Sequence, residues 1–521
     1  MNVLSLKPGH DGCIAFVHNQ KLVFSIEAEK DSFPRYGNAT AQLMVEALEM
    51  APALPDVLAL GGWHKIFPSS DSVIGSGYFG LEDPIIRTGQ LFGRPATIFS
   101  SSHERSHIFM AASMYPAAPV DECAVLVWEG RIGALYHWRD RGASITRYPV
   151  LTEPGARYSA LFALAEPAFP EKGSNPNHEY AGKMMALASY DRDWNVTSED
   201  RTVVECLLRE STFYPFDKKA YVGTSLYNCG VRLPSFHAAV RYMTDRLFEK
   251  FFRAAEESLP AGIPLLISGG CGLNCDWNRR WRETKFFREV FVPPVANDTG
   301  SAIGTASDAM THFGAPCRLD WSVYSGADFR RDIDPVPAGW QRRPFNPASV
   351  VLRLIAGAVI PWVQGRCEIG PRALGNRSLL ASPFGANVRA RLNQIKERED
   401  YRPIAPSCRS EELHEWFDPA LDDPYMLSFS NVLTDRLPAI THVDGSARVH
   451  SVRKDLAPRL HLLLGEVRTQ TGCGVLCNTS LNFKGLGFIN RMSDLVRYCE
   501  EKGLDEFVVD DDWYTRPPVV S

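Results

Sequence analysis

Three short, mostly apolar runs open the chain at residues 3–6, 13–17 and 22–26, separated by polar and turn residues. Such runs predict strands, joined by a loop at residues 7–12 and a turn at His18, Asn19 and Gln20. A helix is expected at residues 39–50, a strand at 56–60 and a further helix starting near His103. Residues 124–128, 132–138 and 144–150 then form a second group of three β-like runs. Long helical patterns follow at 200–210 and 236–258. The continuous apolar run 263–267 predicts a buried strand ending at Ser268-Gly269-Gly270, and residues 300–313 predict a helix. Between residues 315 and 348 prolines and charges dominate and apolar periodicity is lost. Beyond it, strands are expected at 359–364, 474–477 and 506–509, with helices near 388–396, 452–469 and 492–501.

This pattern predicts a mixed α/β chain. Residues 1–315 form one domain, 316–348 a linker and 349–521 a second domain. Strand, phosphate-sized loop, strand, turn, strand is how actin/hexokinase-type (ASKHA) ATPase domains begin, although a plain β-meander reads the same way. The second three-strand group suggests two similarly built halves.

Composition narrows the function classes. The 521 residues suffice for two to four domains. A net charge of −5 gives no global attraction for nucleic acid or an anionic membrane, so any anionic ligand needs a local basic cluster. No apolar run reaches the roughly 18 residues of a transmembrane helix. The first residues, MNVLSLKPGHDG, do not read as a signal peptide, which leads us to expect a cytoplasmic protein. The 12 cysteines include no C-x-x-C pair and read as reduced core residues.

Several constellations carry chemistry. His103 and His107 lie four apart at a helix start, where two imidazoles share a face and could bind one metal ion. Glu129, ending AVLVWEG, and Asp298, in NDTGSAIG, would add carboxylates. Such a set suits an iron- or manganese-type ion. The competing readings are a hairpin-turn acid for Glu129 and a helix-start acid for Asp298. Three glycine-bearing turns offer backbone N–H groups to phosphate: Gly9-His10-Asp11-Gly12, Ser268 to Gly272, and Asn297 to Gly300. His10 is also a candidate general base, or else a solvated turn histidine.

The second half carries Arg372 and Arg377 in GPRALGNRS, Lys396, Arg398 and Arg402 in KEREDYRP, and Arg448 in THVDGSARV. Several guanidinium forks and a lysine point charge suit two multiply anionic substrates held together. No acid flanks the two arginines of GPRALGNRS, so a solvated helix face explains them poorly; for KERED that explanation is respectable. Gly370 to Gly375 has P-loop spacing, but Asn376-Arg377 replaces the required Lys-Ser/Thr. Ser480 and Asn482 could bind phosphate or ribose from one turn.

In order along the chain, HDG, HERSH, GKMMALASY, SGGCGLNCDWN, NDTGSAIG, EIGPRALGNRSLLASP, KEREDYRPIAP, THVDGSARV and NTSLN resemble the O-carbamoyltransferases of antibiotic and nodulation-factor biosynthesis. The resemblance implies an ASKHA-type N-terminal domain and a YrdC-like C-terminal domain. The C-terminal domain would make carbamoyl adenylate from carbamoyl phosphate and ATP with Mg2+. The N-terminal domain would transfer the carbamoyl group to a hydroxyl at a divalent metal ion, Fe2+ being expected. By motif, His103, His107, Glu129 and Asp298 would hold the metal. Gly12, Lys183, Gly269, Gly270 and Asn274 would hold the intermediate. Arg372, Arg377, Lys396, Arg398, Arg402, Arg448, Ser480 and Asn482 would hold carbamoyl phosphate and ATP. His10, Asp11, Lys396 and Arg402 would be catalytic. The family's usual aspartate is Glu129 here, and its S-F-N is S-L-N. The opening KPGHDG and EKDSFPRYG are similar to members acting on hydroxymethyl cephems. No nucleic-acid or membrane partner is implied, and a homodimer is compatible. A threonylcarbamoyl or tRNA-modifying relative and a non-catalytic nucleotide sensor are the alternatives. The acceptor is not readable in the sequence; loops such as 64–90 and 154–178 are expected to line its pocket.

Overall fold

The computed structural model describes residues 1–61, 76–91, 93–190, 195–209, 213, 215–333 and 336–516. They group into two compact units: Met1–Ser106 together with Asp298–Ser521, and His107–Asn297.

The first unit opens with β1 (Asn2–Lys7), β2 (Cys13–His18) and β3 (Lys21–Glu27), an antiparallel meander. Helix α1 (Ala41–Met50) starts where the Thr40 side chain accepts from Leu43 N–H. Strands β4 (Val57–Gly61), β5 (Ile85–Leu91) and β6 (Arg94–Ser101) complete a six-stranded sheet of order β3-β2-β1-β4-β6-β5. β4 runs parallel to β1, and β6 parallel to β4. Helix α2 (His103–Met114) follows directly and runs on into the second unit.

The second unit repeats this plan. β7 (Cys123–Trp128), β8 (Gly133–Arg139) and β9 (Ser144–Pro149) form another antiparallel meander. Helices α3 (Pro154–Ala165), α4 (Glu179–Leu187), α5 (Ser198–Leu207) and α6 (Pro234–Ser258) come next. Then β10 (Leu265–Ser268), α7 (Cys275–Glu283) and β11 (Val290–Phe291) close the unit. The sheet order is β11-β10-β7-β8-β9, with β10 parallel to both β7 and β11. Three meander strands followed by two parallel strands therefore occur twice, as the repeated three-strand pattern suggested. Residue 210, the end of one expected helix, lies outside the described residues.

Back in the first unit, α8 (Ser301–His312) packs on β1, β2 and β4. Residues 320–325 lie along the edge of β3, with Leu22 N–H bonded to Asp320 O and Ser25 N–H to Ser325 O. The chain continues through β12 (Gln341–Pro344), α9 (Pro347–Ile355), β13 (Ile360–Val363), β14 (Arg377–Ala381), α10 (Val388–Ile395) and β15 (Ala405–Arg409). A short helix α11 (Leu413–Trp416) leads into β16 (Phe417–Asp418), β17 (Ser430–Val432) and β18 (Ser446–Ala447), a small separate sheet. Last come β19 (His450–Val452), α12 (Pro458–Thr471), β20 (Val475–Ser480), α13 (Met492–Lys502), β21 (Glu506–Val509) and β22 (Asp512–Thr515). Eight of these strands form one sheet, β12-β22-β21-β13-β14-β20-β15-β19. Neighbouring residues point to opposite faces: Trp362 and Leu380 join the cluster with α9 and α12, while Val363 and Leu379 join the one with α10 and α13.

Three expectations need correction. The helix expected from residue 452 begins at Pro458, because His450–Val452 is a strand. Residues 154–178, read as a loop, open with helix α3. Residues 64–90, read likewise, end in β5, while 64–75 lie outside the described residues. None of the 12 cysteines is in a disulfide, and nine of them are buried. Among the described residues no helix is long and apolar enough to cross a membrane.

Candidate active site

In the first unit, β1 delivers Lys7 and the loop after it delivers His10 and Asp11. Gly12 is fixed by sterics: a Cβ there would lie 2.1 Å from Ala39 N and 2.7 Å from Asn38 C. Its N–H bonds Gly37 O at 2.8 Å. Asp298 begins the 3-10 turn that feeds α8. Its Oδ2 lies 3.2 Å from Lys7 Nζ and 3.6 Å from His10 Nε2, and its Oδ1 lies 3.5 Å from His103 Nε2. His10 Nδ1 is 3.1 Å from Asp11 Oδ2. His10 is half exposed, whereas His103 is buried and stacks on Tyr78 with ring centroids 4.2 Å apart. His10, Asp11 and Asp298 offer ligand atoms within 4.8 Å of one another. The first turn of α2 is latched to α8 by a guanidinium fork: Arg105 Nε and Nη2 bond Asp308 Oδ2 and Oδ1 at 2.8 and 2.6 Å. Lys7 was missed in the sequence; its signal is a lysine closing an apolar strand just before GHDG.

His107 is buried one turn further along α2 and, like Glu129, belongs to the second unit. Glu129 Oε1 accepts from Ile132 and Arg131 N–H at 2.9 and 3.2 Å, so the carboxylate stabilises its own turn. Gly269 has φ +94°, and a Cβ there would lie 2.4 Å from Trp128 O. Gly270 N–H opens the next 3-10 turn. The Asn274 side chain caps α7 by accepting from Asp276 and Trp277 N–H, a structural role the sequence reading did not include. Lys183 lies on α4, its Nζ 5.5 Å from the Phe162 ring centroid.

The C-terminal half brings three of the six anticipated cations, Lys396, Arg398 and Arg402, together. Lys396, buried at the end of α10, donates to Ser480 O (2.7 Å), Asn482 O (2.8 Å) and Asn482 Oδ1 (2.6 Å). Ser480 Oγ also donates to Asn482 Oδ1, at 2.6 Å. Lysine and S-x-N element, 84 residues apart, thus form one cluster. Burial, with the charges of Arg398, Lys502 and Arg35, holds the Lys396 ammonium well below its ordinary pKa. Arg398 bonds Asn393 Oδ1 and Pro403 O; burial and the neighbouring Arg402 pull it down to about 9. Asn393 in turn donates to Arg402 O. The three N–H donors of Lys396 are all taken, so toward an anion it could act only as a buried point charge. Arg372 and Arg448 are half-buried, and Arg448 Nε is buried without an acceptor.

Arg377 is a correction. It is 0% exposed, and all five of its N–H donors are occupied. Nε and Nη2 bond Asn490 Oδ1, Nη1 bonds Gln364 O and Asn376 O, and Nη2 also bonds Gly365 O. No donor is left for a ligand. The idea that no acid attends this loop is also corrected: buried Glu368 accepts at Oε1 from Leu374, Asn376 and Arg377 N–H. The loop's amides thus serve its own carboxylate, unlike those of a P-loop. A further buried group was missed. His450 Nδ1 lies 2.9 Å from Ser407 Oγ, and Asn478 Nδ2 bonds both Ser407 Oγ and Ala373 O. Burial drops the His450 pKa to about 3.

The chain belongs to the carbamoyltransferase family, whose two models match successive stretches of it. The family's N-terminal model, "Carbamoyltransferase N-terminus", matches residues 90–307, and "Carbamoyltransferase C-terminus" matches 351–516. It is a transferase of the carbamoyl group. The chain is 50% identical over 517 residues to the 3'-hydroxymethylcephem-O-carbamoyltransferase of Amycolatopsis lactamdurans, covering 99% of both chains. It is 48% identical to that of Streptomyces clavuligerus, again over 99% of each. Nodulation protein U of Sinorhizobium fredii is 32% identical, over 94% of this chain and 95% of its own. The ROK hexokinase of Thermus thermophilus covers 59% of this chain at 13% identity and a TM-score of only 0.30, so sheet order, not that likeness, defines the fold here.

Proposed function

We propose that this carbamoyltransferase acts in two stages and that its acceptor is the hydroxymethyl group of a cephem. The acceptor is suggested by the two relatives of 50% and 48% identity, both named for 3'-hydroxymethylcephem. In the first stage residues 349–521 convert carbamoyl phosphate, ATP with Mg2+ and one water into carbamoyl adenylate, phosphate and pyrophosphate. In the second, residues 1–315 carry the attack of the acceptor oxygen on the carbamoyl carbon, breaking its bond to the AMP phosphate.

The observation that carries this reading is the Lys396, Ser480 and Asn482 cluster beside Arg398 and Arg402. An incoming polyphosphate would meet a desolvated cation and supply the counter-charge it lacks. Arg372 and Arg448 would contribute further forks; Arg377 would hold the loop from beneath. In residues 1–315, His10 would take the acceptor hydroxyl proton at Nε2, with Asp11 orienting the ring through Nδ1. Gly12, Gly269 and Gly270 would line the intermediate's phosphate, with Lys183 and Asn274 as further contacts.

The residues present fit a divalent metal: two buried imidazoles one turn apart on α2, and Asp298 facing His103. His103, His107, Glu129 and Asp298 would hold it, and two nitrogens with two carboxylates suit Fe2+. Bound there, such an ion supplies positive charge for the leaving phosphate. Lys7, already on Asp298, supplies a fixed charge of the same sign.

The deciding experiment needs no acceptor. Wild-type protein with ATP and carbamoyl phosphate should release pyrophosphate. Lys396→Ala, losing the buried positive charge and the three bonds that hold Ser480 and Asn482, should be slower by about a hundredfold or more. Unchanged turnover in that variant would overturn the site, and ligand binding without turnover in wild type would favour a sensor.

A further inference from the structure

The backbone of Gly370 is gripped from both sides by one pair of side chains that come from the other end of the chain. Glu27, the last residue of β3, accepts Gly370 N–H at Oε1, 2.6 Å away. Lys30 donates to Gly370 O, also at 2.6 Å. The two charges face each other, Lys30 Nζ to Glu27 Oε2 at 3.4 Å, with side chains 10% and 1% exposed. The ammonium also sits 3.9 Å from the centroid of the Phe488 ring.

Gly370 N–H and Gly370 C=O belong to the two successive peptide planes that meet at its Cα. Holding both planes fixes the φ and ψ of a residue that stands at φ +86° and has no Cβ to restrict it. The next residue is Pro371, whose ring locks its own φ. Two rigid joints in succession then set the direction in which Arg372 leaves the loop. Glu368 fixes the far side of the same loop through three N–H groups.

We infer that Glu27 and Lys30 are positioning residues for the anion site: they fix the Gly370 backbone and, through Pro371, the reach of Arg372 toward carbamoyl phosphate. The inference rests on the proposed role of Arg372. It also means that the end of β3 and the turn after it tune the activation stage.

A nearby pair supplies a control. Asp31 is held by Arg491 Nε at 2.9 Å and lies 3.4 Å from Arg330 Nη1. It joins the same N-terminal segment to the C-terminal half but does not bond the Gly370 loop. The test measures pyrophosphate release against carbamoyl phosphate at saturating ATP, alongside thermal midpoints and calorimetric binding of carbamoyl phosphate alone. Glu27→Ala and Lys30→Met should raise KM about ten- to a hundredfold, with kcat changing far less. Glu27→Gln, whose amide oxygen still accepts from Gly370 N–H, should recover part of that loss. Asp31→Asn should lower the midpoint and leave KM alone. An unchanged KM in both Glu27→Ala and Lys30→Met overturns the inference, as does an equal rise in Asp31→Asn. Should wild type release no pyrophosphate, the two-stage reading fails. The calorimetry still decides: tenfold weaker binding in Lys30→Met supports the grip, and equal binding, or none in wild type, refutes it.

Discussion

Replacing Arg377 with methionine separates two views of the arginine loop. The substitution keeps an unbranched stem and removes the guanidinium. Four acceptor atoms lose a donor, Asn490 Oδ1 and the carbonyls of Gln364, Gly365 and Asn376, of which Asn376 O keeps the Gln364 N–H and Gly365 is exposed. Each buried acceptor left unpaired costs about 1–3 kcal/mol. Local rearrangement and water entry reduce the sum, and breaking a buried charged network typically costs about 3–5 kcal/mol. Removing the desolvated charge itself offsets a part, so about 4 kcal/mol is expected. Arg377 belongs to the first compact unit, whose roughly 330 residues carry an unfolding entropy of about 0.7 kcal/mol/K, so that is a fall in melting temperature of about 6 °C. The melt can be followed by near-ultraviolet dichroism, since buried Trp362 and Trp340 report on this half. At temperatures where the variant is folded, its KM for carbamoyl phosphate should stay within about threefold of wild type. A stability loss under about 1 kcal/mol combined with a large rise in KM would show that the guanidinium binds substrate and that the framework role is wrong.

Other outcomes follow from single features. His450 has a folded pKa of about 3 against an ordinary 6.5, so the unfolded chain binds the extra proton and stability falls as pH drops below 6.5. At pH 5 that loss is about 2 kcal/mol; His450→Asn should show a correspondingly smaller change in urea midpoint between pH 7 and 5, and an identical change would exclude the histidine as its source. Gly12→Ala places a Cβ against the backbone of Ala39, which cannot yield as a side chain could; carbamoyl transfer should be lost while acceptor-free pyrophosphate release persists. Elemental analysis of protein purified without chelator should find about one divalent ion per chain, absent in His103→Ala; a metal-free wild type would remove the metal assignment.

Elements whose burial is one-sided or complete in short runs were legible in the sequence. CIAFV and AVLVW are apolar throughout because β2 and β7 are buried on both faces. Helix α3 was read as a loop because PGARYSALFALA is buried all round except at Gly155, so it has no 3.6-residue stripe to find. β5 escaped for the opposite reason: it is the exposed edge of its sheet and carries little apolar signal. In the site, residue type singled out Lys396, Ser480 and Asn482 as candidates, and the structure places them in one cluster. Residue type was not enough for Arg377, whose acceptors are mostly backbone carbonyls that composition cannot reveal. Glu368 was overlooked because its value lies in the amides of the turn it precedes.

The first compact unit is assembled from both ends of the chain, and this matters during synthesis. Residues 107–297 leave the ribosome together and have their partners at hand. The opening strands do not. β3 must await residues 320–325 for its outer edge, and the segment after it must await Phe483 to Asn490, where Ser32 and Gly487 N–H groups bond Phe488 and Phe33 carbonyls. For most of translation the N-terminal sheet is therefore an unfinished edge, a natural client for chaperones. A gene fragment stopped at residue 315 would keep it so permanently, which makes separately expressed halves a poor way to dissect this enzyme and point substitutions in the intact chain the better one.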